Sequence, residues 1–266
     1  MRLLAIGDVC GTAGCEAVRE ILPRLKKEKR IDAVIINGEN SAEGNGITPT
    51  SAEHLFMSGA DVITGGNHSL RRKEIYPLLD SNPMILRPDN LTDAQYGSGY
   101  CIADFGSFIM AVINLSGKVY LDKLESDNPF LAVDKLLERA KEDGANIIVV
   151  DFHAEATSEK RAMGFYLDSK VSVMFGTHTH VQTADEQILK GGTGYITDLG
   201  MTGPIDSVLG VKTDIIINRL RNNDLSRFEA AQGKCMLNGC IFEINNATGK
   251  TEEIERLNIR VDNNDF

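Results

Sequence analysis

Four of the chain's five histidines fall in short polar stretches that follow apolar runs: Gly66-Asn67-His68, Asp151-Phe152-His153 and Gly176-Thr177-His178-Thr179-His180. Carboxylates and amides hold matching places at Gly7-Asp8 and Asn37-Gly38-Glu39-Asn40. Imidazoles, carboxylates and amide oxygens together suit cations such as iron, manganese or zinc, and no thiolate is required. His178 and His180 stand two residues apart, so an extended or turning segment puts both rings on one side. Gly176 just before them permits close approach of an ion. A carboxylate such as Glu39 can bridge two ions ~3.5–4 Å apart, a pair that generates a hydroxide and clamps phosphoryl oxygens. Each motif alone has an ordinary reading as a turn, a helix cap or a core-edge histidine. Their joint occurrence points to a two-metal hydrolytic centre for phosphate esters, with candidate ligands Asp8, Glu39, Asn40, Asn67, His153, His178 and His180. The fifth histidine, His54, falls on a predicted helix and reads as a surface or core residue.

Such residues must be held by something rigid. The apolar runs Leu3–Ile6, Ala33–Ile36, Asp61–Thr64, Asn146–Val150 and Val171–Phe175 read as strands, apolar on both faces and so covered on both by other layers. Helical spacing marks Cys15–Lys27, with Pro23 as a kink, and also Arg71–Leu79 and Pro129–Lys141. Thr48-Pro49 reads as an N-cap and first helical position, opening a helix to about Met57. A hairpin is expected at Tyr100–Asp104 and Phe108–Ile113, and paired strands across Cys235–Val261 with a turn at Asn246–Gly249. The sum is an α/β layered fold, read as a single domain over 1–266 because no Pro/Ser-rich linker divides it. In open α/β sheets ligands bind beyond the carboxyl ends of the strands, which is where these polar clusters stand.

Composition narrows the function. The 266 residues carry a formal net charge of -10 and no Trp. That argues against broad nucleic-acid binding, which needs a basic footprint, and against base-stacking platforms for single strands. The basic runs Lys26-Lys27, Lys29-Arg30 and Arg71-Arg72-Lys73 read as solvated helix ends. An acidic chain needs local positive charge to hold a phosphate, and bound metal ions supply it. No signal peptide and no membrane span is visible, and five cysteines fit no zinc ribbon. Reduced thiols in the cytoplasm are the expectation.

The order of motifs resembles the calcineurin-like metallophosphoesterases. The wider text is similar to their YmdB-like branch at Asn37–Ala42, Ser58–Asp61, Arg87–Asn90, Asp151–Lys160 and Asp198–Pro204. The resemblance implies a four-layer αββα sandwich with a dinuclear centre. Asp8, Glu39, Asn40 and His180 would hold the first metal, and Glu39, Asn67, His153 and His178 the second, with Glu39 bridging. His68 would be the catalytic residue that protonates the leaving oxygen. Iron is the first expectation for the two ions, with manganese or zinc as alternatives. The implied activity is hydrolysis of cyclic nucleotides, both 2',3'- and 3',5'-, by metal-bridging hydroxide. A broad phosphatase on the same centre and a metal-holding regulator acting through a protein partner stay open, as does a homo-oligomer. A 5'-nucleotidase with a second substrate domain is disfavoured, because only about 55 residues follow the last motif near residue 210. Two departures stand out: Cys10 replaces the His of the usual Asp-x-His, and Gly38-Glu39 replaces Gly-Asp. A soft thiolate would be an odd member of an N/O set, so Cys10 is left outside the ligands. Thr179, Thr157 and the Gly11 amide are candidate substrate contacts.

Overall fold

The computed structural model describes residues 1–121 and 124–261. Strand β1 (Arg2–Ile6) shows why two sheets form. Its side chains alternate: Leu4 and Ile6 pack toward helices, whereas Leu3 and Ala5 pack into a central slab. Strand β3 (Ala33–Asn37) does the same, with Val34 and Ile36 on the helical side and Ala33 and Ile35 in the slab. A run that is apolar at every position is therefore two interfaces written on one strand.

The first sheet has the order β2-β11-β12-β1-β3-β4, with β13 paired to β12. Its other strands are β2 (Asp8–Val9), β4 (Val62–Thr64), β11 (Met201–Pro204), β12 (Cys235–Ile244) and β13 (Thr251–Val261). The second sheet runs β5-β6-β7-β8-β10-β9, built from β5 (Tyr100–Asp104), β6 (Ile109–Ser116), β7 (Ile147–His153), β8 (Val173–Thr177), β9 (Gln187–Ile188) and β10 (Gly194–Ile196). Met110, Val112, Ile147, Val149 and Phe175 face the slab from this side. Their neighbours Ala111, Ile113, Ile148 and Val150 face outward to a third apolar cluster.

Helices α1 (Gly11–Lys29) and α2 (Pro49–Ser58) cover the first sheet, and α4 (Pro129–Glu142) and α5 (Thr157–Leu167) the second. The layers are thus helix, sheet, sheet, helix, as the resemblance implies. Each fully buried Leu, Ile, Val or Phe in such a core is worth about 1.5–3 kcal/mol. Helix α6 (Thr213–Asn222) differs, since none of its described residues is buried.

Two elements depart from expectation. Helix α1 begins at Gly11, four residues before Cys15, and runs unbroken past Pro23 to Lys29. The helix expected over Arg71–Leu79 is instead a 3-10 turn at Lys73–Ile75 followed by the short helix α3 (Tyr76–Ser81). Pro77 lacks the N–H that an α-helix through this segment requires. Arg72 is also held extended, its guanidinium donating to the carbonyls of Glu43 and Asn45. Among the described residues no helix is long and apolar enough to cross a membrane.

Candidate metal centre

Parallel strands β1, β3 and β4 in one sheet and β6, β7 and β8 in the other deliver their carboxyl ends to one region. Asp8 follows β1, Glu39 and Asn40 follow β3, and Asn67 and His68 follow β4. His153 ends β7, and His178 and His180 follow β8. Gly66 is needed for sterics: a Cβ there would collide with Glu39 Oε2 and with the His153 ring.

Three groups converge on one nitrogen. His153 Nε2 lies 2.9 Å from Asn67 Oδ1, 3.0 Å from His178 Nδ1 and 3.3 Å from Glu39 Oε1. A neutral imidazole nitrogen carries at most one proton, so it cannot satisfy three lone-pair partners. Glu39, His153 and His178 each offer a ligand atom within 4.8 Å of the others. Beside them, Asp8 Oδ1 is buried with no hydrogen-bond partner among the described residues, 3.7 Å from His180 Nε2. Asn40 links the groups: its amide nitrogen donates to Glu39 Oε1 (2.9 Å) and sits 3.3 Å from His180 Nε2. An orphaned carboxylate oxygen and crowded lone pairs cost free energy unless a cation meets them, so the donor set fits N/O-ligated metal.

The far side of each imidazole is tied down. His153 Nδ1 pairs with Thr177 Oγ1 at 2.9 Å, and Thr177 donates to Asp151 at 2.7 Å. His178 Nε2 meets Glu155 at 3.0 Å, and His180 Nδ1 lies 3.3 Å from the Leu209 carbonyl. Such partners set tautomer and ring orientation.

Electrostatics separate the groups: burial opposes charge on His180, but Cys10, Glu39 and the Leu209 carbonyl outweigh it and raise that ring to about 9. Burial, then Glu39, Asp198 and Asp151, raise the Asp8 carboxyl well above the usual range. Burial pushes Asp151 up to about 7 against its hydrogen bonds from Thr64, Thr177 and Asn37. Burial drives His153 down to about 3, which keeps it in the neutral form that binds metal. Burial also opposes charge on Glu39, but His153 and His68 outweigh it and hold that carboxyl below its ordinary value. Since His153 is itself neutral at pH 7, the standing support for the Glu39 anion is the N–H groups of His68 and Asn40.

All seven candidate ligands and His68 are brought together. His68 Nδ1 is 3.0 Å from Asn40 Oδ1, and its half-buried ring lines the cavity. The substrate candidates fare differently. Thr179 lines the cavity, but its N–H and Oγ both donate to Asp198, at 3.1 and 2.8 Å. Thr157 opens α5, is exposed and is not among the lining residues. The Gly11 amide is taken by the Asn40 carbonyl at 2.8 Å. Cys10 Sγ approaches His180 Nδ1 at 3.7 Å, on the side of that ring opposite its Asp8 contact. His54 sits on α2 beside Glu16, away from the centre.

Sequence reasoning misses the support beneath the His178–His180 loop. Both histidines have left-handed backbone, φ 105 and 64, an arrangement that costs of order 1–3 kcal/mol per residue. Thr179 between them is anchored on Asp198, whose Oδ2 is 2.6 Å from Lys160 Nζ in a pair with both side chains only 1% exposed. The signal is present in the Asp151–Lys160 and Asp198–Pro204 motifs, but a lysine on a helix reads as surface until burial is known.

The centre opens into a cavity of about 1330 Å³. Pro204, Leu209, Val211, Lys212 and Phe228 also line it.

Known proteins resemble this chain in sequence and fold. The family model described as YmdB-like protein matches residues 4–257. The chain is 46% identical over 262 residues to the 2',3'-cyclic-nucleotide 2'-phosphodiesterase of Bacillus subtilis (strain 168), covering 98% of each. The crystal structure of a novel phosphatase from Mycoplasma pneumoniae superposes with a TM-score of 0.93 at 33% identity, over 99% of this chain and 95% of that one. A 5'-nucleotidase precursor from Thermus thermophilus shares the fold at TM-score 0.60 and 10% identity, with 97% of this chain and 54% of that one covered. Fold, motif order and whole-length similarity agree, and the chain belongs to the YmdB-like family of the calcineurin-like metallophosphoesterases.

Proposed function

We propose that this protein is a dinuclear-metal phosphodiesterase that hydrolyses cyclic nucleotide monophosphates, 2',3'-cyclic and 3',5'-cyclic. The observation that carries the reading is the crowding of Asn67, His178 and Glu39 around His153 Nε2, next to the orphaned Asp8 oxygen, at the floor of an open cavity. The name of the Bacillus subtilis relative supports the substrate class. Asp8, Glu39, Asn40 and His180 would hold one ion and Glu39, Asn67, His153 and His178 the other. Iron is the first choice, and manganese or zinc fit the same donors. When bound, the ions supply an activated water and positive charge for the phosphoryl oxygens.

The chain's own residues do the rest. Asn40 Oδ1 holds His68 Nδ1, which leaves Nε2 for the substrate. Protonated His68 donates from there to the departing alkoxide, a role that imidazole takes more often than any other side chain. His153, neutral and backed by Thr177 and Asp151, keeps its lone pair aimed at the centre. The three apolar clusters share the two sheets, which supports one metallophosphoesterase domain over 1–266. A cytoplasmic setting fits the free thiols of Cys10, Cys15, Cys101 and Cys240.

The relative described as a novel phosphatase favours a second reading, a broad phosphatase on the same centre. One assay separates the two. Protein purified without added metal is analysed for bound metal, then given 2',3'-cyclic AMP, 3',5'-cyclic AMP, bis-p-nitrophenyl phosphate and p-nitrophenyl phosphate. Diesterase action predicts turnover of the cyclic and bis esters well above that of the monoester. Cleavage of the monoester alone would overturn it.

A further inference from the structure

We propose that Phe228 forms a nucleobase subsite in the wall of the cavity into which the metal centre opens. The inference rests on the cyclic-nucleotide reading and adds to it the part of the site that grips the base. Phe228 is the one Phe, Tyr or Trp among the described residues lining the cavity. It is 59% exposed. The Arg219 guanidinium lies over the ring, 4.8 Å from its centroid. Backed by this cation, the ring is a ready platform for a flat, polarisable partner.

Its place is set by a short chain of contacts from the centre. The Leu209 carbonyl lies 3.3 Å from His180 Nδ1. Two residues on, Val211 bridges Ala230, and the Lys212 N–H donates to the Glu229 carbonyl at 3.0 Å. Phe228 follows two residues back from Ala230. The path thus has two such steps, Leu209 to Val211 and Ala230 to Phe228, one on either side of the strand pairing and each of at most roughly 7 Å. Phe228 lines the same cavity as His178 and His180, so a phosphate at the histidines and a base on the ring would share it. Pro204, Leu209 and Ala231 give the neighbouring wall an apolar character. Stacking on a single ring discriminates little among bases, because every base has a π-face.

The test compares Phe228→Ala and Phe228→Tyr with the unaltered protein. Substrates are 2',3'-cyclic AMP and the 2',3'-cyclic phosphate of methyl riboside, which has no base. The subsite predicts that Phe228→Ala shifts the ratio of KM values between the two substrates by of order tenfold, against the nucleotide. Phe228→Tyr should keep the original ratio, since it keeps a stacking face. A ratio unchanged in Phe228→Ala would overturn the proposal, whether both KM values rise together or neither moves. If the unaltered protein cleaves neither substrate, the diesterase reading has failed. Calorimetric binding of adenosine 3'-monophosphate and ribose 3-phosphate then decides the subsite: preferential loss of the nucleotide in Phe228→Ala sustains it, and equal binding by both proteins ends it. Phe228 lies outside the buried core, so circular dichroism of the variants should match the parent.

Discussion

The two walls of the cavity are built on opposite principles. The wall of histidines is buried, and nearly every polar group there has a partner behind it. His153 is backed by Thr177 and Asp151, His178 by Glu155, and the loop between His178 and His180 by Asp198 and Lys160. The wall from residues 204–233 carries α6, with no buried described residue, and leaves Leu220, Leu225 and Phe228 exposed. Chemistry at a metal centre demands atoms placed within a few tenths of an ångström, and only a satisfied, desolvated network holds them so. Gripping a base demands a face and tolerates looseness. The difference teaches that the precise half of this site is also the half in which single changes propagate.

The largest effect is expected at the histidine wall itself. His68→Ala should lower turnover by a factor of order 10²–10⁴ while bound metal stays at parent levels. Equal turnover in the variant would remove His68 from the reaction, and loss of metal would make it structural. Next comes the support layer. Lys160→Met strands Asp198 inside the protein, and breaking a buried pair by removing one partner costs about 3–5 kcal/mol. Urea unfolding should report that loss, and the double variant Lys160→Met/Asp198→Leu should recover a large part of it. A loss below about 1 kcal/mol in the single variant would mean the pair is not what steadies the loop. The smallest effect belongs to the open wall: Leu220→Ala, at an 81% exposed position, should change stability by less than about 0.5 kcal/mol. A larger loss would show that α6 is packed against something in solution and would erase the contrast between the walls.

Much of the fold can be read from periodicity. The strands at Leu3, Ala33, Val62, Ile147 and Val173 follow from runs apolar on both faces, and the Thr48-Pro49 cap opens α2 where expected. The failures share a cause, which is that local pattern is overruled by a specific contact or a missing donor. Arg71–Leu79 has helical spacing, yet Pro77 and the Arg72 contacts with Glu43 and Asn45 break it into a turn and a short helix. Helix α5 and its Lys160 are not legible in the sequence, because TSEKRAMGFYL shows a polar surface and hides its one buried charge. Thr157 and Thr179 are equally plausible substrate contacts as residue types. Folding puts one outside the cavity lining and commits the other to Asp198.

By itself the sequence determined which residues could bind metal, that each stands at a strand end, and that the strands must lie between covered faces. Residue type and period are local properties, and these conclusions need no more. Tertiary structure alone decided that Asn67, Glu39 and His178 crowd one nitrogen of His153, that one Asp8 oxygen is left without a partner among the described residues, and that Lys160 is interior. Those facts depend on segments such as Glu39 and His153, far apart in the chain, lying 3.3 Å from each other, and they exist only once two sheets have packed face to face and brought their carboxyl ends together.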